Sequence, residues 1–267
     1  MKILVCVKQV PDTSEIKIDP VTNTLIRAGV PSIMNPFDSY ALETAIRIKE
    51  KNPGTKITVL TMGPKQAEAV LREALSVGAD EAYLLTDRMF GGADTFATSY
   101  TLSEAIRYIE NKNGKFDLIF CGKQAIDGDT AQVGPEIAEH LGLAQVTYAI
   151  EAEAGENAIH IKRECDEGYD IVEAKYPCLA TFSKTAYELR MPNVLKKIAA
   201  MKAEIGVIST AEIEFKKEYL GLKGSPTKVK KSFTPQISHN CTYIEEDSAE
   251  AFADKLVELM GISVEEE

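Results

Sequence analysis

The sequence predicts an α/β fold: an open, mostly parallel sheet with antiparallel additions and a C-terminal arm. Three observations lead there. Four short apolar runs alternate with four helical segments over residues 2–141. Those runs are apolar without a two-residue alternation, as strands covered on both faces are. After residue 142 the pattern changes to strands separated by short turns.

Residues 2–8 (KILVCVK) are short, apolar and rich in branched side chains, which makes them a buried strand. Residues 16–19 and 24–27 flank Pro-Val-Thr-Asn and read as a hairpin decorating the sheet. Residues 37–51 place Ala41, Leu42, Ala45 and Ile46 at helical spacing, and Asn35-Pro36 is a turn from which Pro36 can begin that helix. Residues 56–62 (KITVLTM) form a second strand, and Gly63-Pro64 opens a helix over 65–77. A third strand covers 81–86, and Asp94 caps a helix running to about Asn111. The fourth, 117–121 (DLIFC), leads through a loop into a helix over about 130–141. Strands at 146–153, 158–165, 169–175 and 178–182 then extend or flank the sheet in antiparallel fashion. A short basic helix follows Met191, then a stretch with Gly and Pro at 216–231. The last helix, about 247–260, has Ala251, Phe252, Leu256 and Leu259 on one face. Alternating strands and helices imply right-handed crossovers and parallel pairing. Such sheets bind ligands beyond the carboxyl ends of their strands, so the loops after Lys8, Met62, Thr86 and Cys121 are the ones to inspect.

Composition narrows the function. A length of 267 residues allows one large domain or two small ones, and a net charge of −11 disfavours a nucleic-acid binder. No apolar run approaches the roughly 18–20 residues of a membrane span. The start, MKILVCVKQVPD, turns polar without a signal-peptide core, and a cytoplasmic location is expected. Cys6, Cys121, Cys165, Cys178 and Cys241 form no metal or disulfide framework and read as buried small hydrophobes. His140, His160 and His239 lie far apart, and neither GxSxG nor HExxH occurs, so no catalytic constellation is expected. Charge is segregated: residues 184–240 carry +6, residues 241–267 carry −8, and the rest −9. Such segregation marks either a partner-contacting extension or a solvated surface and tail.

The segment GKQAIDGDTAQVGP at 122–135 lies between a strand and a helix, where free amides and the helix dipole favour an anion. Gly128, Thr130, Ala131, Val133 and Gly134 keep side chains small, Thr130 or Asp129 can cap the helix, and Lys123 and Asp127 carry charge. Two readings fit: a nucleotide phosphate site, or a polar loop before a capped helix. FGGADTFATS at 90–99 offers two glycines and a capped helix start, and capping alone explains much of it.

In order, LVCVKQV (4–10), MNPFD (34–38), ALETAIRIKE (41–50), GKQAIDGDTAQVG (122–134) and IKRECDEGYDIVEAKYPCLAT (161–181) resemble the beta subunit of electron-transfer flavoproteins. The resemblance runs through nearly the whole chain. It implies an adenine-nucleotide-binding, Rossmann-like fold paired with an alpha subunit. It further implies that the nucleotide is held by the Cys6 backbone, Asn35, Pro36, Phe37, Asp38 and Val59, and by the loop of Gly122, Lys123, Gln124, Ala125, Ile126, Asp127, Gly128, Asp129, Thr130, Ala131, Gln132 and Val133. In ordinary members that nucleotide is a structural AMP, and the loop tends to read DDDCNQTG. Here DGDTAQVGP and GGADTFATS look like the electron-bifurcating members, in which FAD replaces AMP.

For such a member the resemblance implies hydride uptake from NADH. One electron then goes towards the alpha-subunit FAD and an acyl-CoA dehydrogenase or reductase, the other to ferredoxin or flavodoxin. Gly91, Gly92, Asp94, Thr95 and Thr98 are expected near the NADH, and no residue of the chain is expected to act as a catalyst. YELRMPNVLKK at 187–197 resembles the family's dehydrogenase-docking segment, with Arg190, Met191, Pro192, Asn193 and Lys196 as its contacts; core packing of Met191 is the other reading. The division implied is residues 1–190 for the nucleotide domain, 191–240 for docking segment and basic arm, and 241–267 for a helix and acidic tail on the partner subunit. Two rivals are an ordinary AMP-containing carrier and an adenine-nucleotide sensing module similar to universal stress proteins.

Overall fold

The computed structural model describes residues 1–12, 31–230 and 243–261. The hairpin expected at 16–19 and 24–27 lies outside them, as do His239 and Cys241. Strand β1 (Lys2–Cys6) leads into β2 (Gln9–Pro11), which pairs antiparallel with β3 (Ser32–Met34). Helix α1 (Pro36–Lys51) starts on the proline, whose missing N–H is no loss at a first helical position. Strand β4 (Lys56–Met62), helix α2 (Glu68–Val77), strand β5 (Glu81–Leu85) and helix α3 (Thr95–Asn113) follow. Asp94 caps α3 by accepting from the Ala97 amide at 3.0 Å. Strand β6 (Leu118–Gly122) and helix α4 (Val133–Leu141) complete the alternating half.

Next come β7 (Ala144–Ala154), β8 (Ala158–Cys165), β9 (Gly168–Lys175) and β10 (Cys178–Phe182), then helix α5 (Val194–Lys202) and strand β11 (Gly206–Ile208). A single turn, α6 (Gly221–Gly224), and the Ser248-capped helix α7 (Ala249–Met260) end the described chain. The main sheet has nine strands in the order β11-β5-β4-β1-β6-β10-β7-β8-β9. Pairings from β11 through β7 are all parallel, and β8 and β9 add an antiparallel hairpin.

Strand β10 corrects the expectation of an antiparallel addition: it lies parallel between β6 and β7. All five of its residues are buried, and a strand covered on both faces suits the interior of a parallel sheet. Strand β11, beyond residue 190, returns to lengthen the other edge beside β5.

Two apolar layers flank the sheet. Ile3, Val5, Val59 and Phe120 meet Leu42, Ile46 and Leu71 of α1 and α2 on one face. On the other, Leu4, Leu60, Ile119 and Leu179 meet Ile106 and Ile137 of α3 and α4. The chain moves outward from β1 through β4 to β5, then returns to the far side of β1 as β6. That reversal opens a crevice beyond the ends of β1 and β6, the usual ligand position in such sheets. Among the described residues no helix is long and apolar enough to cross a membrane.

Candidate nucleotide site

The crevice is closed by one buried carboxylate. Asp38, in the first turn of α1, accepts from the Lys8 amide at 2.7 Å, the Gly122 amide at 3.1 Å and Asn35 Nδ2 at 2.9 Å. It thereby ties the chain leaving β1 to the end of β6. The fit leaves no room: a Cβ on Gly122 would lie 2.2 Å from Asp38 Oδ1 and 2.8 Å from the Asp38 nitrogen. Asn35 works from the other side. Its Nδ2 donates to the Gln124 carbonyl at 2.8 Å, and its Oδ1 accepts from the Ile126 amide at 3.2 Å. Met34–Asp38 is therefore more than a helix start; it is the scaffold on which the 122–132 loop is hung.

Burial pushes the Asp38 carboxyl up to about 7, against the three N–H donors that favour its charge. The folded protein keeps a proton there at pH values where the unfolded chain, with the ordinary 3.8, has lost it. Stability contributed by this group therefore falls as pH rises between those two values. Urea midpoints at roughly pH 5 and 7.5 are expected to drop more in the native protein than in Asp38→Asn; equal drops would contradict the assignment.

The loop turns through two residues in the left-handed region, Asp129 at φ 52° and Ala131 at φ 53°. Non-glycine residues adopt this conformation at a cost, and such strain gathers at ligand sites. It also corrects the expected helix start. Helix α4 begins at Val133 rather than near residue 130, because those two residues break helical geometry. Neither Thr130 nor Asp129 caps it: Asp129 accepts from Gln124 Nε2 at 2.6 Å, and Gln132 at the cap position makes no side-chain capping bond. The first amides of α4 are left for something else. Gly134 lets that helix start press against β10, since a Cβ there would meet Thr181 Cγ2 at 2.5 Å.

Around this opening the residues are small or polar. Gly128 is open, since a Cβ there would meet nothing within 4 Å, and Thr130 is exposed. Lys8 Nζ pairs with Asp127 at 2.6 Å, and Lys123 lies over the Tyr148 ring at 5.0 Å. Among the described residues, three buried polar atoms have no partner: Thr61 Oγ1, Ser183 Oγ and Glu136 Oε2. They sit near the end of β4, just after β10 and in the first turn of α4. The uncapped amides at the start of α4, beside the switch point, fit a phosphorylated nucleotide.

Cys6 ends β1, and the parallel register of β1 on β6 sets it beside Cys121. The neighbouring Cys6 thiol and burial hold the Cys121 thiol well above the usual range, so it stays protonated and unreactive at neutral pH. Cys121 and Cys178 are buried, as expected, while Cys6 and Cys165 are only partly so.

The structure brings Cys6, Asn35, Pro36, Phe37, Asp38 and the 122–133 loop to one end of the sheet. Val59 does not join them. It lies in mid-strand, fully buried against the α1 and α2 layer, and Met62 is the residue at the end of β4.

The 90–99 segment reaches the same end of the sheet. Thr95 Oγ1 donates to Glu136 at 3.1 Å and lies 3.5 Å from Gln132 Oε1, while Thr98 is half-buried within α3. Asp94 is occupied, capping α3 and accepting from the Thr227 amide and hydroxyl at 2.9 and 2.7 Å. Gly91 accepts from the Leu222 amide at 3.0 Å, and Gly92, at φ 72°, lies against the Leu222 side chain. That motif thus also fastens the arm at residues 221–227.

The proposed docking residues stand apart, on the α1 and α2 side. Met191 is 90% exposed, which excludes core packing; Asn193 caps α5 through the Lys196 amide at 2.8 Å, and Arg190 is held by Glu43 and Glu50. His140 packs against the rings of Phe96 and Tyr100. Among the described residues no cluster of His, Cys, Asp and Glu could hold a metal ion.

The electron transfer flavoprotein domain matches residues 22–213. The chain is 50% identical to an electron transfer flavoprotein subunit beta of Megasphaera elsdenii, over 97% of each chain. It is 49% identical to the caffeyl-CoA reductase-Etf complex subunit CarD of Acetobacterium woodii, over 88% of each. Protein FixA of Azorhizobium caulinodans is 43% identical, over 96% of this chain and 92% of its own. On this coverage and identity, with the predicted α/β architecture in place, the chain belongs to the electron transfer flavoprotein family as a beta subunit.

Proposed function

We propose that this beta subunit holds FAD at the β1/β6 crevice, and that it works with an alpha subunit in an NADH-oxidising, electron-bifurcating complex. The observation that carries FAD over AMP is the open space beside Gly128 together with the uncapped start of α4. A second phosphate needs both room and unpaired amides, and these two features supply them. When bound, FAD supplies hydride uptake from NADH and release of single electrons, one towards the alpha-subunit FAD and an acyl-CoA dehydrogenase or reductase, one to ferredoxin or flavodoxin. The name of CarD, a subunit of a caffeyl-CoA reductase complex, supports the reductase branch.

The chain's own residues bind and orient. Amides of Val133 and Gly134, with the Thr130 hydroxyl, would face the diphosphate, and Asn35 and Asp38 would keep the loop in register. Gly91, Gly92, Thr95 and Thr98 would border the NADH side, where Thr95 already meets α4. No redox side chain is required, because the cofactor carries that chemistry.

Residues 191–240 would serve as docking segment and arm, and 241–267 would pack on the alpha subunit. Helix α7 suits that use, leaving Phe252, Leu256 and Leu259 at 44%, 40% and 54% exposure along one face. Anaerobic titration of the heterodimer with NADH tests the proposal. Bleaching of two flavins per heterodimer is expected; a response from one, or none, would leave an ordinary carrier.

A further inference from the structure

The segment proposed above to dock a dehydrogenase is held at both ends by arginines. At its start, Arg190 Nε and Nη2 donate to Glu43 at 3.0 and 2.9 Å, and its guanidinium also pairs with Glu50. The Glu43 side chain is 1% exposed, so this is an interior anchor. At the other end, Arg72 of α2 donates to the carbonyls of Ala200, Met201 and Ala203 at 2.6, 3.2 and 2.9 Å. Glu68 orients that guanidinium through bonds of 2.9 and 2.6 Å.

Arg72 does here what a C-cap does. The residue after α5, Ala203, is extended and makes no backbone capping bond, so the last carbonyls of the helix would otherwise be unsatisfied. A cation at a helix C-terminus also matches the dipole. Helix α5 needs this help: it has nine residues, of which only Ala200 is buried. So short a helix is marginal without tertiary support. Between the two anchors, Met191, Leu195 and Met201 are 90%, 79% and 69% exposed, and Lys196, Lys197 and Lys202 lie among them.

We propose that Arg72 and Arg190 are positioning residues that preorganise residues 191–203 to fit an apolar groove bordered by carboxylates on the dehydrogenase. This rests on the docking reading. Its consequence is specific: loosening the clamp weakens partner binding and leaves electron transfer within the bound complex unchanged.

The test uses the intact heterodimer as electron acceptor for an acyl-CoA dehydrogenase, with KM for the heterodimer and kcat measured separately. Amide hydrogen exchange over residues 194–203 is followed alongside. Arg72→Met is expected to raise KM about tenfold or more, to leave kcat within about twofold, and to speed that exchange. Arg72→Lys, which keeps a cation with fewer donors, is expected to restore part of the KM and guards against a misfolded Met variant. Leu195→Glu is expected to raise KM without changing the exchange. Faster exchange in Arg72→Met with unchanged KM, while Leu195→Glu still raises it, would overturn the positioning role and leave the docking reading intact. Unchanged KM in Leu195→Glu would overturn the docking reading itself.

Discussion

Gly122→Ala is expected to destabilise the protein by roughly 3 kcal/mol or more, as overpacking and the loss of a buried hydrogen bond combine. The added methyl would sit 2.2 Å from Asp38 Oδ1 and 2.8 Å from both the Asp38 nitrogen and the Phe37 carbonyl carbon. Two of those atoms are backbone at the start of α1, so no side-chain rotation relieves the clash. Either β6 or the first turn of α1 must move, and the Gly122 amide then loses the carboxylate. For a chain of this size the melting temperature is expected to fall by roughly 10 °C. Gly128→Ala is the control, because its Cβ would meet nothing within 4 Å. Its stability is expected to stay within about 0.5 kcal/mol of the parent. Similar melting temperatures for the two variants would contradict the Asp38 brace.

Gly128→Asp is expected to strip the flavin from this subunit while leaving the fold alone. The position is exposed and spacious, so the side chain has somewhere to go. A carboxylate about 5 Å from a phosphate repels it by about 3 kcal/mol at an effective dielectric near 20. That corresponds to about a hundredfold weaker binding for each phosphate charge it faces. After desalting, flavin content is expected to fall by one equivalent per heterodimer, with the melting temperature of the flavin-free form unchanged. Full flavin retention would mean that the phosphates do not pass Gly128.

Much of this fold could be read from the sequence because its strands are continuously apolar. KITVLTM was assigned residue for residue, and CLATF was bounded correctly. The direction of CLATF was not legible. A five-residue apolar run has the same composition in either orientation, and only its place between β6 and β7 makes it parallel. The crevice loop was visible as small residues after a strand. Its strain at Asp129 and Ala131 was not, since an ordinary aspartate and alanine carry no mark of a left-handed backbone.

Asp38 shows why function hides in this sequence. In the first turn of a helix an aspartate reads as favourable dipole chemistry. Its contacts, however, lie 30 and 84 residues away, at Lys8 and Gly122. Arg72 is similar: on α2 it forms a common i,i+4 pair with Glu68, yet its remaining donors reach carbonyls 128 to 131 residues on. Arg190 reads from the sequence as a docking contact, yet it is anchored from within, by a buried glutamate.

The crevice beyond β1 and β6 is proposed to hold FAD. Acid release of the nucleotides from the purified heterodimer, separated and counted by absorbance, tests it most directly. Two FAD and no AMP per heterodimer is the predicted result; one FAD and one AMP would contradict it.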